Sequence, residues 1–130
     1  MSESFYLEII SPEQILIKSE VKQVVIPAFE GLMTILKDHI PLVTFLRPGF
    51  IEVETSGLSE KFYVEEGTVE FSDNNLLILT STARDLTDLD QNSIEDLLNQ
   101  AESQLSKVNS SDKEKYLLSY KISTLNEINQ

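Results

Sequence analysis

The chain has 130 residues, 41% of them hydrophobic and 25% charged, a balance that belongs to folded domains and a length that excludes a large multidomain enzyme. Its 22 acidic residues against 10 basic ones give a formal net charge of -12, which repels phosphate backbones and anionic lipid heads and argues against direct nucleic-acid or lipid binding. Cysteine is absent, which removes disulfides, thiol nucleophiles, iron–sulfur clusters and thiolate zinc sites.

From Phe5 to about Ala83 the apolar residues come in short alternating or continuous runs separated by turn-forming residues, the spacing expected of sheet. Phe5–Ile10 reads as a strand closed by Ser11-Pro12, followed by Ile15–Ile17 and Val21–Ile26, the last ended by Pro27 because an imide nitrogen cannot join a ladder. Glu30-Gly31 supplies a turn. Leu32–Leu36, Val43–Leu46, Gly49–Glu54, Lys61–Glu65, Thr68–Ser72 and Leu76–Ser81 continue the series, punctuated by Pro48-Gly49, Ser56-Gly57, Glu66-Gly67 and Asp73-Asn74-Asn75. About ten short strands in two packed sheets, a β-sandwich over residues 1–87, close such a meander most simply.

After Arg84 the period changes. Ile94, Leu97, Leu98, Ala101, Leu105 and Val108 fall on one stripe of an amphipathic helix, with Ser93 as its expected N-cap. Asn109 and Ser110 interrupt the pattern. Ser111-Asp112-Lys113-Glu114 then has capping-box spacing, with Ser111 expected as N-cap and Glu114 expected to reach back to its amide, and Leu118, Ile122 and Leu125 line one face of a second helix. The short connection predicts an antiparallel α-helical hairpin over residues 88–130. Asp85–Asp90 reads as a polar hinge before it, with Asp88 and Asp90 the hinge residues.

No apolar run, Leu76–Leu79 included, approaches the roughly 18–20 residues that a membrane-spanning helix needs. Met1–Ser4 carries acid where a leader would carry Lys or Arg, so a cytoplasmic address is expected. His39 is the sole histidine and has no companion residues in a recognisable catalytic or metal-binding pattern, so its loop, Lys37–Leu42, reads as structural or interfacial. None of the four glycines opens a phosphate-binding loop. Asp88, Asp90 and Asn92 match the start of a calcium loop, but Ser93 replaces the required Gly and Asn99 the closing Glu, which leaves a solvated segment and no metal. The carboxylate pairs Glu52/Glu54 and Glu65/Glu66 carry no mark of burial and read as solubilising charge.

Several segments in register, Ser11-Pro12-Glu13, Val24-Val25-Ile26-Pro27 before Glu30-Gly31, Thr34-Ile35-Leu36, His39-Ile40-Pro41-Leu42-Val43-Thr44 and Leu46-Arg47-Pro48-Gly49-Phe50-Ile51, followed by Gly67-Thr68-Val69-Glu70 and Leu79–Ala83, resemble the epsilon subunit of bacterial F-type ATP synthases, which is similar to the chloroplast epsilon and mitochondrial delta subunits. The resemblance runs from Phe5 to about Asp90. It implies a non-catalytic central-stalk subunit without a cofactor, peripheral on the cytoplasmic side of the bacterial inner membrane, that couples proton-driven c-ring rotation to ATP synthesis through gamma. Phe29, Glu30, Gly31 and Leu32 would face the c-ring, and His39, Ile40, Pro41 and Leu42 would lie against gamma. The hairpin would switch between a folded state and one extended into the alpha/beta catalytic head, restraining ATP hydrolysis.

Two departures bear on that switch. Residues 85–130 hold only Lys107, Lys113, Lys115 and Lys121 among nine acids, which weakens attraction into an acidic cleft. The ATP-sensing pattern Ile/Leu-Asp-x-x-Arg-Ala meets Leu89-Asp90-Gln91-Asn92-Ser93-Ile94, which lacks the phosphate-pairing Arg, so weak or absent ATP binding is expected. A freestanding β-sandwich hydrolase or ligand-binding domain using His39 and nearby acids is the alternative.

Overall fold

The computed structural model describes residues 3–107 and 111–128; Val108, Asn109 and Ser110, expected at the end of the first helix and its interruption, lie outside the described residues. Among these residues ten strands precede two helices. The strands are β1 (Phe5–Ile10), β2 (Ile15–Val21), β3 (Gln23–Ala28), β4 (Gly31–Ile35), β5 (Leu42–Leu46), β6 (Gly49–Glu54), β7 (Ser59–Val64), β8 (Gly67–Ser72), β9 (Asn75–Leu79) and β10 (Arg84–Asp85). One 3₁₀ turn, Leu86–Asp88, leads to α1 (Gln91–Leu105) and α2 (Asp112–Ile128).

The strands form one curled sheet that doubles over into two layers. One layer runs β10-β7-β6-β3 with β4 on the far side of β3, and the other runs β5-β8-β9-β1-β2. They join where Ala28 of β3 pairs with Leu46 of β5, a corner extended by Phe29 N–H to the Phe45 carbonyl and Arg47 N–H to the Pro27 carbonyl, both 2.9 Å. The chain crosses between layers at Lys22, whose N–H donates to the Glu54 carbonyl at 2.8 Å. Inward-facing residues of both layers alternate along their strands and fuse into one core, with Leu7, Ile9, Ile26, Ile35, Ile51, Phe71 and Ile78 fully enclosed. Each enclosed side chain of this size stabilises the fold by roughly 1.5–3 kcal/mol. Phe5 and Phe71 meet edge to face at 5.7 Å inside it.

Two expectations about the sandwich need correction. Pro27 does not end its strand: the chain stays extended through Pro27, opposite Leu32, and on to Ala28. Proline's φ suits extended backbone, only its N–H is lost, and its carbonyl still accepts from Arg47. A simple meander also fails at β1, which pairs in parallel with β9. These strands come from opposite ends of the domain, and no local turn announces their meeting.

The helices pack on a second, smaller core made of Tyr63 from β7, Ile94 and Leu98 from α1, and Leu125 from α2. Leu86 and Leu89, inside the segment expected to be polar, also pack there. The N-cap of α1 is Asp90 and not Ser93: the Asp90 carboxylate accepts from the Ser93 N–H at 2.7 Å, so the helix starts almost a turn early, where the stronger anionic acceptor stands. At α2 the Ser111 hydroxyl oxygen accepts from the Glu114 N–H at 3.1 Å as expected. The Glu114 carboxylate meets the Ser111 hydroxyl at 3.2 Å.

Candidate interaction surfaces

Phe29-Glu30 forms the turn between β3 and β4, and Gly31-Leu32 opens β4. Gly31 adopts φ +142° with open space around its Cβ position, so it is the backbone conformation that calls for glycine there. Glu30 is held from one side, its carboxylate accepting the Thr44 hydroxyl at 3.1 and 3.2 Å. Leu32 is 70% exposed.

His39–Leu42 lies at the other end of β4, whose five residues span roughly 17 Å. Asp38 and Asn74 both take left-handed backbone and clamp each other: the Asp38 N–H donates to Asn74 Oδ1 at 2.7 Å, and Asn74 Nδ2 donates to Asp38 Oδ1 at 3.0 Å. That pair ties the loop to the β8–β9 turn. His39 is occupied structurally, with Nδ1 donating to the Ile40 carbonyl at 2.7 Å and the ring edge-on to Phe71 at 5.9 Å. Of the four residues, Leu42 packs against the main core while Ile40 is 74% exposed. Ile40, with the exposed Pro41 beside it, is therefore the apolar surface that this loop offers to a partner.

Exposed apolar residues continue along β5 with Val43 and Phe45. Strand register extends Phe45 into a row with Thr68, Leu79, Ile10 and Ile15 across the outer face of its layer. Between this row and the start of α2 opens a groove of about 970 Å³, floored by Phe45, Leu79 and Pro12 and walled by Lys113 and Leu117. Its sequence signal is apolar residues at outward strand positions, Phe45 in β5 and Leu79 in the continuous run Leu76–Leu79, where a strand wet on one face would alternate to polar residues.

The hairpin seats on the layer junction through residues that sequence reasoning missed. The Tyr116 hydroxyl donates to the Phe29 carbonyl at 2.7 Å and the two rings lie 5.3 Å apart. Tyr120 meets Tyr116 edge-on at 4.9 Å and lies under the Arg47 guanidinium, 3.7 Å from the ring centre. Arg47 is buried; it donates through one terminal nitrogen to the Pro48 carbonyl at 3.0 Å, while its Nε has no partner among the described residues. Desolvation against the sandwich, with Tyr120 beside it, pushes the Tyr116 phenol above its ordinary pKa. The i,i+4 spacing of Tyr116 and Tyr120 was the available signal.

A second tie lies on β7 and just beyond it. The Tyr63 hydroxyl donates to Glu65 Oε2 at 3.0 Å, and Lys121 of α2 reaches the same oxygen at 3.3 Å. Burial, and then the Glu65 charge, push the Tyr63 phenol far above its usual pKa. The remaining expected candidates do not converge on chemistry. Asp90 is a helix cap, its carboxyl lowered in pKa chiefly by the Ser93 N–H, and Asp88 sits exposed in the 3₁₀ turn. Among the described residues no cluster of three or more His, Asp or Glu side chains is placed to hold a metal, and no helix is long and apolar enough to cross a membrane.

Comparison with known proteins gives a consistent result. Residues 4–85 match the family described as ATP synthase, Delta/Epsilon chain, beta-sandwich domain. The chain is 45% identical to the ATP synthase epsilon chain of Pelagibacter ubique, over 99% of this chain and all of that one. It is 32% identical to the ATP synthase epsilon chain of Sinorhizobium medicae, over 100% of this chain and 96% of the relative. In three dimensions it superposes on a chain of the Euglena gracilis mitochondrial ATP synthase OSCP/F1/c-ring structure with a TM-score of 0.82, at 19% identity, covering 100% of this chain and 84% of the other. A chain from the central stalk/c-ring structure of the Tetrahymena thermophila mitochondrial ATP synthase gives a TM-score of 0.65 at 14% identity, over 96% of each. At these identities the structural likeness speaks for the fold.

Proposed function

The chain belongs to the delta/epsilon family of ATP synthase subunits, and from that membership we propose that it is a rotor element carrying torque between the gamma shaft and the c-ring, at the cytoplasmic face of a bacterial inner membrane. As an epsilon subunit it is one part of a membrane-associated complex and not its catalyst. The observation that carries the reading is the likeness to an epsilon chain over the whole length, sandwich and hairpin together. The physics supports it. Two layers that share one close-packed core cannot slide without breaking that core, so the body transmits force with little deformation.

In this reading the turn Phe29-Glu30-Gly31-Leu32 faces the ring, and His39-Ile40-Pro41-Leu42, continued by Val43 and Phe45, lies against gamma. The working units are the sandwich of residues 1–87 and the hairpin of residues 88–130, with Asp88 and Asp90 at the hinge. The hairpin regulates hydrolysis at the alpha/beta head only weakly, because its four lysines stand among nine acids over residues 85–130. ATP binding is weak or absent, Ser93 and Ile94 standing where the nucleotide-sensing pattern has Arg and Ala. Isothermal titration that returned micromolar ATP affinity would refute this point.

Replacing Ile40 by Asp sets a charge on the shaft-facing surface without entering the core, and should weaken capture of gamma in a pull-down. Leu32→Asp should do the same for the ring. Undiminished capture by both variants would remove the assignment of these faces.

A further inference from the structure

We propose that the docked hairpin and the β3–β4 turn are energetically coupled through Tyr116, so that docking α2 prepares the turn for its partner and an occupied turn holds α2 down. The inference rests on the reading of Phe29–Leu32 as the ring-facing turn.

The turn is held from two sides. Thr44 grips Glu30 from β5, within the sandwich, and Tyr116 grips the Phe29 carbonyl from α2 while its ring lies against the Phe29 ring. The first hold lasts as long as the sandwich is folded. The second exists only while the hairpin is docked, and it fixes the carbonyl and side chain immediately before Glu30-Gly31. An ordered turn loses less conformational entropy on meeting a surface, so docking raises affinity for the ring. By linkage, the ring raises the docking constant by the same factor.

The latch is also built to release. Arg47 carries its charge in a buried site where, among the described residues, no carboxylate lies within ion-pair distance and Nε lacks a partner. Its cover is the Tyr120 ring at 3.7 Å. Lifting α2 sacrifices that cation–π contact but admits water to an incompletely satisfied guanidinium, which offsets part of the loss. Docking is therefore reversible without unfolding the sandwich, the condition that a coupled element must meet.

The test uses the full chain, free and assembled with gamma and the c-ring, and reads amide hydrogen exchange along residues 111–128 together with affinity for the ring. Seating on the ring should slow exchange in α2 of the unmodified protein by roughly 2- to 12-fold, the factor that one net hydrogen bond supplies. Tyr116→Phe, which keeps the ring contact with Phe29 and loses only the hydroxyl, should remove this extra protection and weaken ring affinity by the same factor. Unchanged α2 exchange on assembly, or full coupling in Tyr116→Phe, overturns the proposal. Leu32→Asp separates the two readings: if that variant seats on the ring as well as the parent, the placement of the turn is wrong; if it seats poorly while Tyr116→Phe keeps full coupling, only the coupling is wrong.

Discussion

The sandwich and the hairpin are held by different physics. Among the described residues, seventeen buried apolar side chains join the two layers of the sandwich into one core, so its parts stand or fall together. Among the described residues the helices share a core of four buried side chains, of which Tyr63 alone belongs to the sandwich; their remaining hold on it includes an aromatic–cation contact, a phenol–carbonyl hydrogen bond and an ion pair. The difference teaches that one chain can contain a stiff body and an element attached by contacts that water can replace.

The largest effect expected to expose that contrast comes from the main core. Ile78→Ala removes a fully enclosed side chain and should cost about 2–5 kcal/mol, with sandwich and hairpin losing structure in one transition in urea followed by circular dichroism. Two transitions, with the helices surviving loss of the sandwich, would break the comparison.

Lys121→Ala sharpens it from the other side. The Lys121–Glu65 pair is partly buried, with side-chain exposures of 16% and 25%, so its loss should cost roughly 1–2 kcal/mol, between the values for exposed and buried pairs. Hydrogen exchange should then quicken in α2 and stay slow in β3, β6 and β8. Uniform quickening would mean that the hairpin is no separate unit.

Alkaline pH acts on the same seam. The folded-state pKa of Tyr63 lies above that of an unfolded tyrosine, so the stabilisation is complete below about pH 10, where the unfolded phenol begins to ionise, and is lost as pH rises beyond it. Tyr63→Phe should flatten this decline, which for a single proton is at most about 1.4 kcal/mol per pH unit; an unaltered slope would show that the phenol does not matter.

The smallest effect belongs to the cap. The folded pKa of Asp90 is lowered, so its contribution is present above the ordinary carboxylate value and fades as pH falls through the folded one. Below about pH 4, the ordinary carboxylate value, helicity should be less pH-dependent in Asp90→Asn, read by circular dichroism at 222 nm; equal acid sensitivity would leave the cap without a role.

Much of this architecture was legible in the sequence because strands announce themselves locally. β1 and β6 fall where alternation and the turn residues Ser11-Pro12 and Pro48-Gly49 put them, and the helical stripe of α1 buries Ile94, Leu98 and Ala101. What stayed hidden depends on residues far apart in the chain. The parallel β1·β9 pair, the short β10 against β7 and the crossing of Arg47 with Tyr120 have no local period. Asp90 displaced Ser93 as the cap because spacing alone does not rank two good acceptors that are neighbours on the helix. The exposed turns were found as turns, but only their resemblance to a family suggested partners for them.

Proton-driven ATP synthesis in vesicles tests the central claim most directly. The complex would be reconstituted with the unmodified chain, or with a Leu32→Asp/Ile40→Asp variant shown by circular dichroism to fold alike. A torque-bearing link between shaft and ring predicts that the variant loses most of the synthesis supported by the unmodified chain at the same proton gradient. Equal synthesis rates with a folded, fully incorporated variant would contradict it.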